Sequence, residues 1–195
     1  MFSKMFSMLT RRFDEQNIPF AAIGAMALSA YGLPRFTADI DLLSESAHRN
    51  KIYNILTEAG FTCFQETETF AQFDSEMGVY GKVDLMFVGT PAGKAMLKRR
   101  IRISDDLLGN YPVIQPSDYI VLKLMAAAND PSRQVGDEAD IATLLKQIRG
   151  KDLTDSFEPL QRDRILEFAR QFRLEKHVKR LFQKCLDSAP EKKFF

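Results

Sequence analysis

The sequence predicts an α/β protein, with a mixed β-sheet flanked by helices and followed by a C-terminal helical region. In the first sixty residues, short apolar segments alternate with stretches of helical periodicity. Residues 61–88 change to a period of two, which is typical of strands in an antiparallel or mixed sheet. The last third shows three- and four-residue apolar spacing. We therefore expect a sheet-containing part over residues 1–115 and a helical part over residues 116–195.

Composition excludes several classes of protein. The chain has 195 residues, enough to bury a substantial core, and 45% hydrophobic with 27% charged residues is ordinary for a globular protein. A net charge of +1 gives no global attraction for nucleic acid or for an anionic membrane. No stretch approaches 18 successive apolar residues, so we expect a cytoplasmic protein without membrane contact. Cys63 and Cys185 have no CxxC context and predict reduced thiols.

The first elements are read from apolar spacing and from glycine and proline. Residues 3–16 predict an amphipathic helix that ends before Pro19. A buried strand "FAAI" follows, then a turn at Gly24 and a helix over "AMALSAY". The segment "ADIDLL" is predicted to be extended, and "HRNKIYNILTEAG" is predicted to be a helix that stops at Gly60.

The later elements follow the same rules. The strands predicted between residues 61 and 88 are "FTCFQE", "TFAQFD" and "VYGKVDLMFV". A short helix over Gly93–Arg100, a small strand "YPVIQ" and an apolar helix "SDYIVLKLMAAA" are expected next. The remaining predicted helices are Asp137–Ile148, Leu160–Arg170 and Leu174–Leu186.

Acidic residues inside two predicted strands are the main functional signal. Alternation in "ADIDLL" puts Asp39 and Asp41 on one face, where adjacent carboxylates repel unless a cation lies between them. Asp84 has a similar position in "GKVDLMFV"; alone it would be read as an edge residue or an ion-pair partner. If the two strands are neighbours, three carboxylates converge. Such a triad can hold two Mg²⁺ ions for phosphoryl chemistry.

The residues around these acids resemble a known superfamily. A hydrophobic residue, Gly24, a small residue, then Asp39-Ile40-Asp41-Leu42 and the later Asp84 look like the nucleotidyltransferases with the DNA polymerase β type of catalytic domain. The resemblance covers roughly residues 18–88. It implies a nucleotidyltransferase fold in which residues 1–115 form the catalytic core and residues 116–195 pack on it.

The resemblance also implies an activity. A member would transfer a nucleoside monophosphate from a nucleoside triphosphate to a hydroxyl acceptor. Asp39, Asp41 and Asp84 would be both the catalytic and the metal-binding residues, for two Mg²⁺ ions with Mn²⁺ as an alternative. Gly24 would let phosphate approach the backbone closely.

A second segment, "YIVLKLMAAANDPSRQVGDEADIATLL", resembles the bacterial toxin-type nucleotidyltransferases of the AbiEii group, known from type IV toxin-antitoxin systems. By that likeness Lys123 would contact nucleotide phosphates, and Asp137 would orient Lys123 or the acceptor, with Asp140 as a lesser candidate. Ala25 and Arg35 would belong to the nucleotide site. The implied partners are a nucleoside triphosphate, an acceptor such as tRNA, a protein or a small molecule, and a cognate antitoxin.

Two other functions remain open. A catalytically inactive module that binds a nucleotide or a protein is favoured by Ala25, which lacks the hydroxyl of the serine found there in many members. A metal phosphohydrolase should show histidine ligands or a further acid cluster, and the sequence has neither. "GTPAGKA" is interpreted as a helix start and "KRRIR" (98–102) as a solvated helix end, with contact to RNA as the alternative for the latter.

Overall fold

The computed structural model describes residues 2–75, 81–150, 153 and 156–187. These residues divide into two compact units. The first comprises the described residues up to Ala30 together with those from Pro34 to Gln115. The second comprises Tyr31–Leu33 and the described residues from Pro116 onward.

The first unit contains four α-helices, one 3₁₀ helix over Ser46–His48 and seven strands among its described residues. The α-helices are α1 (Phe2–Glu15), α2 (Gly24–Ala30), α3 (Arg49–Glu58) and α4 (Pro91–Arg99). The strands are β1 (Phe20–Ala22), β2 (Ile40–Glu45), β3 (Phe61–Glu66), β4 (Phe70–Ser75), β5 (Lys82–Val88), β6 (Ile101–Asp105) and β7 (Gly109–Val113).

All seven strands form one sheet in the order β3-β4-β5-β2-β1-β7-β6. The pairs β2/β5 and β1/β7 are parallel, whereas the other four pairs are antiparallel. The predicted mixed sheet is therefore confirmed. The parallel contact in its centre joins the two strands that carry the acidic residues.

Aromatic residues show which face of the sheet is covered. Tyr53 of α3 packs edge-on against Phe73 of β4, with ring centroids 4.8 Å apart. Phe13 of α1 packs in the same way on Phe20 of β1 at 5.3 Å. Because successive side chains of a strand point to opposite faces, the residues adjacent to Phe73 lie on the other side of the sheet. That other side carries the acidic residues.

Helix α4 begins where the sequence predicts a helix start. Thr90 caps it, because its hydroxyl oxygen accepts a hydrogen bond of 3.2 Å from the Gly93 amide. The interpretation of "GTPAGKA" as a helix start is confirmed. Lys94 forms an ion pair of 3.8 Å with Glu45, the last residue of β2.

The interpretation of residues 98–102 as a helix end is wrong for their second half. The helix ends at Arg99, and β6, which was not predicted, begins at Ile101 and pairs with β7. Ile101 and Ile103 alternate with the exposed Arg102 and Ser104, which is the period of a strand. Arg102 forms an ion pair with Asp14 of α1. The short, charged segment is stable as a strand because β7 supplies its hydrogen-bonding partner.

The second unit is helical, as predicted. Its helices are α5 (Pro116–Asn129), α6 (Gln134–Gly150), α7 (Arg162–Gln171) and α8 (Glu175–Phe182), followed by a π-helical turn over Gln183–Asp187. No helix among the described residues is long and apolar enough to cross a bilayer. Cys63 and Cys185 are both free thiols, as predicted.

Buried polar groups connect the helices of this second unit. The Ser117 hydroxyl of α5 accepts a hydrogen bond of 2.9 Å from the Gln161 amide at the start of α7. Asp118 is 1% exposed and lies 3.6 Å from the guanidinium of Arg164. Tyr31 packs edge-on against Tyr119, and its pKa is raised well above the usual value, mainly by burial and further by Tyr119 and Asp118.

Candidate active site

Asp41 and Asp84 occupy paired positions on the parallel strands β2 and β5. Adjacent strands lie about 4.8 Å apart, so the two residues are direct neighbours. Their flanking residues in the two strands are completely buried on the opposite face; these are Ile40, Leu42, Val83 and Leu85. Both acidic side chains therefore project from the same face of the sheet, away from α1 and α3. The expectation that neighbouring strands carry the acids is met for this pair.

Gly24 lies directly against the carboxylate of Asp41. A Cβ at this position would be 2.1 Å from Asp41 Oδ2, which is far inside van der Waals contact. The backbone of Gly24 also has a φ of +58°, in the left-handed region that favours glycine. The amide of Ile23 donates a hydrogen bond of 3.0 Å to the carbonyl of Asp41, which holds the turn against β2. Glycine is required here both by its backbone conformation and by the carboxylate beside it.

Asp39 lies just before β2, which begins at Ile40. Its amide donates to the Thr37 hydroxyl, and that hydroxyl donates to the Asp39 carbonyl, both at 3.1 Å. These contacts fix the backbone of Asp39 and not its carboxylate. In residues 2–75, 81–150, 153 and 156–187, no group of three or more acidic, histidine or cysteine side chains is arranged to hold a metal ion. The metal-binding role of Asp39 stays a prediction.

A residue that the sequence analysis missed contacts Asp84. Gln72 of β4 pairs with Asp84 in the antiparallel β4/β5 register. Its Nε2 donates hydrogen bonds of 3.1 and 3.0 Å to Asp84 Oδ1 and Oδ2. The signal for Gln72 is weak in the sequence, because it is one polar residue in the alternating segment "TFAQFD". Only the strand register shows that it faces Asp84.

The donor set of Asp41 and Asp84 fits a magnesium ion. Mg²⁺ in phosphoryl-transfer sites is held by one or two carboxylates, completed by water and substrate phosphates, and seldom by an all-protein cage. Two neighbouring carboxylates on one sheet face supply that part of the coordination. A protein cluster of three ligands is not needed for such a site.

Ala25 and Arg35 are the remaining predicted residues of the first unit. Ala25 is the second residue of α2 and is partly buried. Arg35 is exposed in the segment between α2 and β2, next to Phe36, which is 95% exposed. The nucleotide-binding roles of Gly24, Ala25 and Arg35 stay predictions.

Lys123, in the second unit, lies between two carboxylates. Its Nζ is 2.8 Å from Asp137 Oδ1 and 2.7 Å from Asp140 Oδ2, so it links α5 to α6. Arg133 Nε lies 3.5 Å from Asp137 Oδ2, within ion-pair range but without hydrogen-bond geometry. The predicted association of Lys123 with Asp137 is present, and Asp140 is an equal partner. Contact of Lys123 with nucleotide phosphates stays a prediction.

Comparison with known proteins supports the fold assignment through structure alone. No protein-family model matches the sequence, and no curated protein matches it. Solved structures do match. The crystal structure of ANT(2'')-Ia in complex with adenylyl-2''-tobramycin superposes with a TM-score of 0.60 at 14% identity, covering 89% of this chain and 98% of that one.

Two further structures are similar. The lincosamide antibiotic adenylyltransferase LnuA, bound to lincomycin, gives a TM-score of 0.53 at 14% identity over 74% of this chain and 96% of that chain. An antigenic nucleotidyltransferase-like protein from Paracoccidioides brasiliensis gives 0.56 at 16% identity over 95% and 92%. The predicted nucleotidyltransferase fold is thereby confirmed.

We expect Gly24→Ala to destabilise the protein through both its backbone and the new Cβ. The left-handed conformation costs a non-glycine residue about 1–2 kcal/mol. Overlap with Asp41 should add about 1–3 kcal/mol, as in other overpacked sites. The measurement is the free energy of unfolding from a urea titration.

Gly60→Ala is the matched control for this change. Gly60 has a φ of +82°, but a Cβ there would meet nothing within 4 Å, so only the backbone cost should appear. Asp41→Ala removes the two atoms nearest to the Cβ of Gly24→Ala. In an Asp41→Ala background, the losses of unfolding free energy caused by Gly24→Ala and Gly60→Ala should therefore differ less. Equal losses in both variants would show that the carboxylate does not press on the glycine.

Replacing Lys123 with methionine should destabilise the second unit by about 3–5 kcal/mol, because Asp137 and Asp140 would keep buried charges without their main cation. The Asp137 side chain is 5% exposed and that of Lys123 15%. Lys179 and Glu175 form a more exposed pair, at 59% and 29%, so Lys179→Met should cost at most about 1 kcal/mol. Similar losses from the two substitutions, measured by urea unfolding, would contradict a buried structural cluster.

Proposed function

We propose that this chain is a metal-dependent nucleotidyltransferase, which transfers a nucleoside monophosphate from a nucleoside triphosphate to a hydroxyl acceptor and releases pyrophosphate. The observation that carries the proposal is the pairing of Asp41 with Asp84 on parallel strands beside the Gly24 turn. It occurs in a chain that has the nucleotidyltransferase fold. The proposed cofactor is Mg²⁺, in two ions, with Mn²⁺ as an alternative.

The acidic residues have separate tasks in this mechanism. Asp41 and Asp84, with Asp39 as the third predicted ligand, hold the metal, which when bound neutralises triphosphate charge and aligns the reacting groups. Asp84 also accepts the proton of the acceptor hydroxyl on a carboxylate oxygen. The acceptor oxygen then bonds to the α-phosphorus as the bond from that phosphorus to pyrophosphate breaks. Gly24, which has no side chain, leaves room for phosphate at the backbone.

A catalytically inactive module of the same fold is the second candidate. Ala25 favours it, because alanine offers no hydroxyl to a phosphate. Such a module would bind a nucleotide or a partner protein through the same face. Binding without turnover distinguishes it from the enzyme.

The acceptor is proposed at the level of chemical class. The names of ANT(2'')-Ia and LnuA connect this fold with antibiotics, so a small molecule with a free hydroxyl, such as an aminoglycoside, is one class. The resemblance of residues 119–145 to toxin-type enzymes supports tRNA or a protein hydroxyl as the other. In the toxin case the partner is a cognate antitoxin protein in the cytoplasm.

Asp41→Asn and Asp84→Asn should each lower nucleotide transfer by at least about 100-fold, since each removes charge that stabilises the transition state. The assay is pyrophosphate release from each nucleoside triphosphate, with Mg²⁺ and either bulk tRNA or an aminoglycoside as acceptor. The variants should stay folded, because removing one of two neighbouring negative charges relieves repulsion in the metal-free protein.

Asp74→Asn is the control for this assay. Asp74 lies two residues beyond Gln72 in β4, is partly buried, and pairs by register with Lys82. It should keep wild-type transfer. Full activity of Asp41→Asn, or an unfolded variant, would contradict the assigned role. Calorimetric binding of nucleotide to a wild-type protein that releases no pyrophosphate would favour the inactive module.

If the chain is a toxin, its expression in a bacterial host should arrest growth. Asp41→Asn should abolish the arrest and Asp74→Asn should not, because Asp41 belongs to the proposed catalytic pair and Asp74 does not. The readout is colony number after induction, with equal protein levels verified by immunoblot. Normal growth with soluble, transfer-competent wild-type protein would exclude the toxin role and favour the small-molecule acceptor.

A further inference from the structure

We propose that Gln72 is a positioning residue, which sets the orientation of the Asp84 carboxylate for a divalent cation. This inference rests on the proposed function, since it assigns Asp84 to metal binding. It concerns a neutral side chain on a strand that carries none of the predicted ligands.

A single nitrogen atom of Gln72 donates hydrogen bonds to both carboxylate oxygens of Asp84. Nε2 is 3.1 Å from Oδ1 and 3.0 Å from Oδ2, so the nitrogen lies nearly equidistant from the two. This contact restrains rotation of the carboxylate about its last bond, which is otherwise a soft torsion. A carboxylate has about four acceptor directions, and Gln72 takes one on each oxygen.

The position of the nitrogen limits how Asp84 can bind a cation. Nε2 lies between the two oxygens, where a cation chelated by both oxygens would have to be. While Gln72 stays in place, Asp84 can therefore donate to a cation through one oxygen only. Mg²⁺ demands near-ideal octahedral geometry. An Asp84 oxygen that Gln72 holds in one orientation beside Asp41 therefore favours Mg²⁺ binding.

The backbone beneath Gln72 is well anchored. Its neighbours Ala71 and Phe73 are 0% and 1% exposed on the opposite face of the sheet, and they pair with Leu85 and Val83 of β5. A neutral amide also suits the task, because it orients the carboxylate without cancelling the charge that attracts the cation. A lysine at this position would compete with the metal by charge.

The test compares Gln72→Leu with Gln65→Leu. Gln65 lies opposite Gln72 in the β3/β4 register and is exposed, so the same change is made one strand further from Asp84. Mn²⁺ affinity is measured for the metal alone by electron paramagnetic resonance. We expect binding to Gln72→Leu to be about 10–100-fold weaker than to wild type, as for other residues that orient a metal ligand. Gln65→Leu should bind as wild type does.

A second readout needs no metal. The side-chain amide signals of Gln72, assigned by their absence in Gln72→Leu, should shift in the NMR spectrum of Asp84→Asn and stay unchanged in Asp74→Asn. If Gln72→Leu does not fold, Gln72→Asn replaces it, since its amide is one methylene too short to reach both oxygens and should also weaken Mn²⁺ binding. Thermal melting without metal verifies that each variant is folded.

The outcomes separate this inference from the proposed function. Mn²⁺ binding by Gln72→Leu that equals or exceeds that of wild type, while Asp84→Asn loses it, overturns the role of Gln72 and leaves the metal site intact. A wild-type protein that does not bind Mn²⁺ overturns the metal site, and the role of Gln72 with it. Weaker Mn²⁺ binding in Gln72→Leu, or in Gln72→Asn where it replaces Gln72→Leu, together with wild-type binding in Gln65→Leu, supports the inference.

Discussion

The candidate site depends on the parallel, in-register pairing of β2 with β5. This pairing puts Asp41 beside Asp84, in a position where like charges destabilise a sheet. The other face of the same two strands is filled with buried aliphatic residues, and their burial offsets that cost. The chain can therefore hold two carboxylates together without a ligand. The cation of the proposed function would bind to an arrangement that the fold has already made.

Gly24 and Gln72 lie against the carboxylates of Asp41 and Asp84, respectively. Gly24 has no side chain where one would collide with Asp41, and its left-handed backbone turns the chain from β1 into α2. Gln72 contacts Asp84 through a neutral amide. Gly24 and Gln72 are both uncharged, so neither of them neutralises the carboxylate beside it. Both contacts are compatible with the proposed site for a metal and a triphosphate.

The acids of the second unit contact a cationic side chain. Asp137 and Asp140 share Lys123, so their charge is compensated within the protein. This cluster gives the lysine of α5 and the two acids of α6 a structural role that needs no ligand. In a structural role the ammonium group of Lys123 stays bound to Asp137 and Asp140, whereas in a nucleotide-binding role it contacts phosphate. The free energy of unfolding of Lys123→Met tests the structural role.

Much of the fold was predictable because each strong pattern was local. The alternation in β5 and the helical spacing of α1 and α3 follow directly from which residues are apolar. Strand β6 was missed since its charged residues favour a helix end, and its stability comes from β7 and from the Arg102–Asp14 ion pair. Gln72 was missed for a related reason. A single polar residue in a strand carries no local sign of the residue opposite it.

The amino-acid sequence by itself determined the class of fold, the mixed sheet, the helical C-terminal part and the acids that form the candidate site. Those features depend on composition and on periods of two to four residues, which the chain carries locally. Only the tertiary structure decided that Asp41 and Asp84 are neighbours, that Gly24 lies against one and Gln72 binds the other, and that Asp39 precedes the strand. These facts depend on strand order and register, which arise from contacts between residues as many as 43 positions apart in the chain, as Asp41 and Asp84 are, and which no short segment specifies.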